Sequence, residues 1–345
     1  MMFANVARRI GVVVTFLIVA SLSIGCGSPS GGTNNGGGSE TAAKTFEGEY
    51  PFLVVTTTGM VADIVLNVAG DHVTVLEAGD LKIEHGGKHI RLVQLMGEGI
   101  DPHLYKASPG DISLLSKADV IFYSGLHLEG KMVDIFERMS DSKPTVAVTA
   151  QLEESSDSRL LEVSEGYHDP HVWFDASLWR ETITSVADEL ARFDPDHAAD
   201  YQSNADVYRK QLDELHEYCV QQIASIPKER RVLVTAHDAF QYFGRAYSLE
   251  VKAIQGVSTK DEASAKHIDE LVEFIVQRKI KAVFVESSVS EQNIELLIEG
   301  CAALDHKVTI GGELFSDAPG KPGTMEGTYV GMVRHNVDTI VKSLK

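Results

Sequence analysis

Residues 196–226 contain neither glycine nor proline, and Pro195 and Pro227 close the stretch at its two ends. An unbroken run of this length reads as one α-helix with prolines as its stops. Charge lies on several faces, while Val207, Leu212 and Leu215 recur at helical spacing. Such a helix is better read as a spacer packed along two domains than as a core element of either. The rest of the chain is then arranged on its two sides.

On both sides apolar strands alternate with amphipathic helices. Before the spacer, residues 52–57, 73–76, 120–123 and 146–148 read as strands, with helices over 60–68 and 109–117 and a loop over 152–166. After it come strands over 231–235, 251–254, 282–285 and 308–310, with helices over 261–278 and 291–304. Strands separated by helices imply parallel sheets with right-handed crossovers, so the fold class is α/β throughout. Sheets of this kind bind ligands beyond the carboxyl ends of their strands. His237, Glu286 and Asp317 each follow a strand by a few residues and are placed on one rim.

Two copies of one tripeptide, Asp101-Pro102-His103 and Asp169-Pro170-His171, carry the chemistry, joined by Ala236-His237-Asp238 and Phe315-Ser316-Asp317. Proline fixes φ just before each histidine and favours a rigid turn from which to aim an imidazole. Three imidazoles and a carboxylate from four distant segments form a candidate set for one divalent transition metal. The chain has 13 histidines, and most histidines are surface or structural residues. No compact H-x3-H or C-x2-C spacing is present, so this generic signal is moderate.

The amino terminus speaks to location. Arg8 and Arg9 precede an apolar run over 10–25, the length of a signal-peptide core and short of the roughly 20 residues a spanning helix needs. It ends in Ser23-Ile24-Gly25-Cys26, which resembles a bacterial lipobox with Cys26 as the lipidated residue; Leu22 stands one position further back than the usual leucine. Residues 27–39 are almost entirely Gly, Ser, Asn, Pro and Thr, the composition of a flexible tether. Residues 1–25 are thus read as a signal peptide and 26–45 as a lipid-anchored tether. The remaining 46–345 are a membrane-held, extracytoplasmic part (periplasm or outer face of the cell membrane). The net charge of −19 offers no basic field for phosphates, which excludes a generic nucleic-acid binder. Cys219 and Cys301 are candidates for a disulfide or for two buried thiols, and neither belongs to a metal motif.

Further motifs complete a pattern. Thr56-Thr57-Thr58-Gly59-Met60, Gly125-Leu126-His127-Leu128-Glu129, Val172-Trp173-Phe174-Asp175, Gln255-Gly256-Val257-Ser258-Thr259, Val285-Glu286-Ser287-Ser288 and Gly311-Gly312-Glu313-Leu314 stand in order around the histidine triplets. Together they resemble the TroA-like zinc/manganese substrate-binding proteins of ABC importers. The resemblance implies two similar α/β lobes bridged by one long rigid helix: 46–190, the bridge 191–227, and 228–345. It implies a metal held in the cleft between the lobes by His103, His171, His237 and Asp317. The implied cargo is Zn²⁺ or Mn²⁺, with Fe²⁺ as a third ion. The implied partners are a membrane permease and its ATPase, with the chain itself a monomer.

Other residues have two readings each. Glu286 either orients a ligand imidazole from behind or is a solvated loop carboxylate. His127 is read as strand-end packing or a hydrogen-bonding residue, and His168 as exposed. The segment 79–91, with Glu84, His85 and His89, is read as a surface insertion in preference to an accessory metal-capturing loop. Four protein donors would close a metal's shell, and no H-E-x-x-H or spare base accompanies them, so binding is favoured over catalysis. A metal-dependent hydrolase and a metal-binding surface adhesin are the alternatives.

Overall fold

The computed structural model describes residues 45–77, 87–260 and 263–345. The apolar leader, Cys26, the tether and the histidine and acid at positions 85 and 84 therefore lie outside the described residues.

The N-terminal part opens with β1 (Phe52–Thr56), α1 (Gly59–Ala69), β2 (Val73–Leu76) and β3 (Ile90–Gln94). It continues through α2 (Pro109–Lys117), β4 (Val120–Tyr123), α3 (Val133–Ser140), β5 (Thr145–Ala147) and α4 (Ala150–Glu154). Its strands form one parallel sheet in the order β2-β3-β1-β4-β5. Local chemistry sets the helix starts. The Thr58 hydroxyl accepts from Val61 N–H ahead of α1, and Ser108 with Asp111 builds a capping box around Pro109 at the first turn of α2.

A short hairpin, β6 (Glu162–Ser164) with β7 (Tyr167–His168), lies where the sequence reads as plain loop. It is followed by α5 (Ala176–Phe193), capped by the Asp175 carboxylate at the N–H groups of Ser177 and Leu178. This helix has no counterpart in the reading of 46–190 as a lobe, and the boundary after residue 190 cuts its last turn. The long helix α6 (Ala198–Ala224) follows a 3-10 turn over Pro195–His197, so Pro195 starts that turn and the helix is shorter than 196–226.

The C-terminal part holds β8 (Val232–Thr235), α7 (Gln241–Tyr247), β9 (Glu250–Ala253) and α8 (Ala265–Arg278). Then come β10 (Ala282–Glu286), α9 (Gln292–Ala303), β11 (Thr309–Leu314) and α10 (Tyr329–Leu344). β8 pairs with β9 and β10 with β11, all parallel, and β10 runs beside β8. Helix α8 begins at Ala265, with the Ser264 hydroxyl accepting from His267 N–H. Cys219 on α6 and Cys301 on α9 are both buried free thiols.

The layering explains the long helix. One apolar cluster joins the N-terminal sheet to strands β8, β9, β10 and β11 through α1, α5, α6, α7 and α10, and it includes Tyr201, Tyr208, Leu212, Leu215, Cys219 and Ile223 of α6. Two smaller clusters lie outside, under α2 and α3 on one side and under α8 and α9 on the other. Helix α6 is thus part of a core common to both halves, not a spacer lying along two separate ones. Val207 is 53% exposed and belongs to its outer face. A polar node ties the same helices together: the buried Asp63 of α1 accepts from the Tyr208 hydroxyl of α6 and from Tyr329 N–H at the start of α10.

Candidate metal centre

The two Asp-Pro-His copies use their aspartates differently. In each, one carboxylate oxygen accepts the histidine's own N–H, at 2.8 Å for Asp101 to His103 and 2.9 Å for Asp169 to His171. This Asx-type turn fixes the backbone behind the imidazole. Asp169 Oδ1 also sits 2.7 Å from His171 Nδ1, so it fixes the ring as well. The second oxygen of Asp101 instead accepts from the Thr259 hydroxyl at 2.6 Å, which ties the first histidine's turn to the C-terminal half.

His237 lies two residues beyond β8 and takes its carboxylate from another strand. Glu286, the last residue of β10, accepts His237 N–H at 2.8 Å and lies 2.5 Å from His237 Nδ1. At 3% exposure it is no solvated loop carboxylate. It does for His237 what Asp169 does for His171. With Nδ1–H donating backwards, each ring presents the Nε2 lone pair forwards.

Those lone pairs meet. His171 Nε2 lies 3.2 Å from His103 Nε2 and 3.3 Å from His237 Nε2. Asp317 Oδ1, three residues past β11, is 3.5 Å from His171 Nε2 and 3.4 Å from His237 Nε2. All four side chains are buried. Asp317 Oδ1 accepts no hydrogen bond, while Oδ2 is 3.4 Å from the Ser288 hydroxyl. A tetrahedral shell with Zn–N bonds of about 2.0–2.1 Å has edges of about 3.3 Å, so these separations are those of donors around one small cation. Buried lone pairs facing each other repel unless a positive charge sits between them.

Protonation reflects the same crowding. Burial pushes His103 down to about 3, against the pull of Asp317. Burial also opposes charge on His171, but Asp169 and Asp317 outweigh it and hold that imidazolium up to about 9. His237 is likewise raised despite burial, by Glu286 and Asp317. The neighbouring imidazoles overcome the burial of Asp317 and hold its carboxyl well below the usual range.

Supporting contacts that sequence reading passed over complete the frame. Trp173 Nε1 donates to the Ser316 carbonyl at 3.0 Å, fixing the turn before Asp317 from the N-terminal half. The Tyr242 hydroxyl donates to the Asp169 carbonyl at 2.9 Å and accepts from Leu161 N–H. The signal available was the aspartate in both triplets, which does more than the proline beside it. Gly59, at the start of α1, is required by close approach: a Cβ there would lie 2.4 Å from Pro319 Cγ. His127 and His168 do not join the four donors. They line a groove that opens beside His103, where His127 packs on the Tyr167 ring with centroids 4.9 Å apart.

Known proteins share this chain's sequence and fold. Residues 79–343 match the family described as zinc-uptake complex component A, periplasmic. The zinc-binding protein TroA of Treponema pallidum is 48% identical over 292 residues, spanning 85% of this chain and 88% of that protein. The manganese-binding lipoprotein MntA of Bacillus subtilis is 41% identical over 338 residues, 98% of this chain and all of MntA. A solved structure of the T. pallidum zinc-binding protein superposes with a TM-score of 0.78, covering 85% of this chain and 99% of that one. The parallel strands, the shared helical core and the sequence match together place the chain in the zinc-uptake complex component A family of metal-binding proteins.

Proposed function

We propose that the chain is the extracytoplasmic substrate-binding component of an ABC importer, which captures one Zn²⁺ or Mn²⁺ ion and hands it to a membrane permease driven by its ATPase. The observation that carries this reading is the convergence of His103, His171, His237 and Asp317, four buried donors from four segments and from both halves of the fold. Three imidazoles and one carboxylate suit Zn²⁺ in a near-tetrahedral shell, and Mn²⁺ or Fe²⁺ when the carboxylate uses both oxygens. The names of the relatives, zinc-binding in one case and manganese-binding lipoprotein in the other, support both cargoes. Four protein donors leave no open position for an activated water, so the role is carriage, not hydrolysis; the hydrolase and adhesin alternatives gain no support. The lipobox-like Cys26 supports attachment of the chain to the membrane through its tether.

The test has two parts. Metal-stripped protein titrated with Zn²⁺ should show one tight equivalent, and Asp317→Ala should abolish it with unchanged circular dichroism. Cells lacking the gene should take up less isotope-labelled zinc or manganese, with uptake restored by the wild-type gene and not by D317A. Absence of tight binding, or restoration by D317A, refutes the assignment.

A further inference from the structure

A second group of histidines lies at the opposite end of the N-terminal sheet. His72 immediately precedes β2 and His89 immediately precedes β3, and these strands pair in register from Val73 and Ile90 onward. The ladder therefore sets the two histidines side by side, with His89 N–H donating to the His72 carbonyl at 2.9 Å. Their rings stack with centroids 5.1 Å apart, and their Nδ1 atoms are 3.2 Å from each other. His197, in the 3-10 turn that leads into α6, brings its ring to 4.0 Å from that of His89 and 4.8 Å from that of His72. One nitrogen from each of the three lies within 4.8 Å of the other two.

Carboxylates stand behind two of these rings, as they do behind His171 and His237 at the four-donor centre. His72 Nε2 is 3.0 Å from Asp200 Oδ2 on α6. His197 Nδ1 is 2.9 Å from Asp194 Oδ2, and Asp194 is itself buried and fixed by the hydroxyls of Tyr50 and Tyr201 at 2.6 and 2.7 Å. An N–H donated to a carboxylate behind the ring fixes the tautomer, turns the other nitrogen's lone pair to the front and raises its basicity. Burial and the two neighbouring imidazoles push the His89 pKa down, which keeps that ring neutral. All three side chains remain partly exposed, so an ion reaches them from solvent.

We propose that His72, His89 and His197 form a second binding site for one divalent transition-metal ion of the imidazole-preferring class, such as Zn²⁺ or Cu²⁺, with water completing the shell. The site shares no residue with the four-donor centre and lies at the amino ends of β2 and β3, whereas that centre lies beyond the carboxyl ends of strands. Its ion would pin the edge of the sheet to the entrance of α6. The segment 79–91 thus contributes His89 to a site whose other members, His72 and His197, are distant in sequence.

The experiment uses the full chain. With Zn²⁺ in excess, elemental analysis after gel filtration and calorimetry should give two inequivalent ions per chain. H89Q and H197Q should each lower this to one while retaining the tight equivalent, and D317A should lose the tight equivalent and retain the weaker. A readout on the wild-type protein needs no variant: the second equivalent of Zn²⁺ should protect His72, His89 and His197 from acylation by diethylpyrocarbonate, mapped by peptide mass spectrometry. A single ion at saturation, two ions that persist in both H89Q and H197Q, or unprotected histidines after the second equivalent would each overturn the proposal. Because the two sites are lost separately, failure here leaves the transport reading standing.

Discussion

At the residue scale the centre depends on atoms that do not face the ion. Glu286 and Asp169 hold the rear nitrogens of His237 and His171, and removal of such partners typically costs 10–100-fold in metal affinity. Glu286→Gln keeps the shape and loses the charge, so affinity for Zn²⁺ should fall within about that range in a competition titration against a chromophoric chelator. Unchanged affinity would mean that Glu286 only packs. Protons compete for the same lone pairs. His171 is held up to about 9 in the fold, against about 6.5 for a free histidine, so the metal-stripped protein gains stability from that proton below about pH 6.5 and loses it as pH rises through 9. Metal binding has the opposite sign, because ligation requires the neutral ring. The melting temperature of stripped protein should therefore decline from pH 6.5 to 9 while zinc affinity rises over the same interval. A flat affinity profile there would show that His171 carries no proton to displace.

At the element scale α6 separates buried from exposed positions sharply. Leu212 and Leu215 are completely buried, whereas Val207 is 53% exposed. Leu212→Ala should cost about 2–5 kcal/mol in a denaturant titration, and Val207→Ala should lie within about 0.5 kcal/mol of wild type. Equal effects would contradict the burial pattern. The same helix shows what sequence could and could not reveal. Its existence was legible because no glycine or proline interrupts it, and the α/β class followed from alternating strands and helices. Its packed face was not, since Tyr201, Tyr208 and Cys219 join the leucines only when α1, α5 and α10 surround it. The histidine triplets were legible through their repeat and their motif neighbours. The roles of Thr259, Trp173 and Tyr242 were not, because each acts across more than 70 residues of chain on a backbone or carboxylate group. The pairing of His72 with His89 was hidden for a related reason: it depends on strand register, which local pattern does not specify.

At the scale of the whole molecule, the common core limits how far the halves can move. A periplasmic hinge that opens widely needs two separate cores and flexible connections between them. Here one apolar cluster runs through the strands of both halves, and hydrogen bonds cross it: Trp173 to the Ser316 carbonyl, the Tyr329 hydroxyl to the Trp173 carbonyl, and Tyr329 N–H to Asp63. Bending α6 would also break its i→i−4 ladder, and wide opening would expose Tyr208, Leu212 and Leu215 to water. Metal loading should accordingly order the turns that carry His237 and Asp317 and tilt the halves slightly, leaving the radius of gyration in solution scattering essentially unchanged. Because the four donors come from both halves, an ion that binds only the folded chain cross-links them, with a stabilisation of about 4 kcal/mol when free metal exceeds the dissociation constant a thousandfold. Melting curves with and without Zn²⁺ should show that gain in the wild type, and Asp317→Ala should remove most of that gain, starting from a metal-free melting temperature lowered by loss of the carboxylate that faces His171 and His237. A marked contraction on loading would show that the common core parts in the metal-free state, and an unshifted wild-type melting temperature would show that the four donors do not close on one ion.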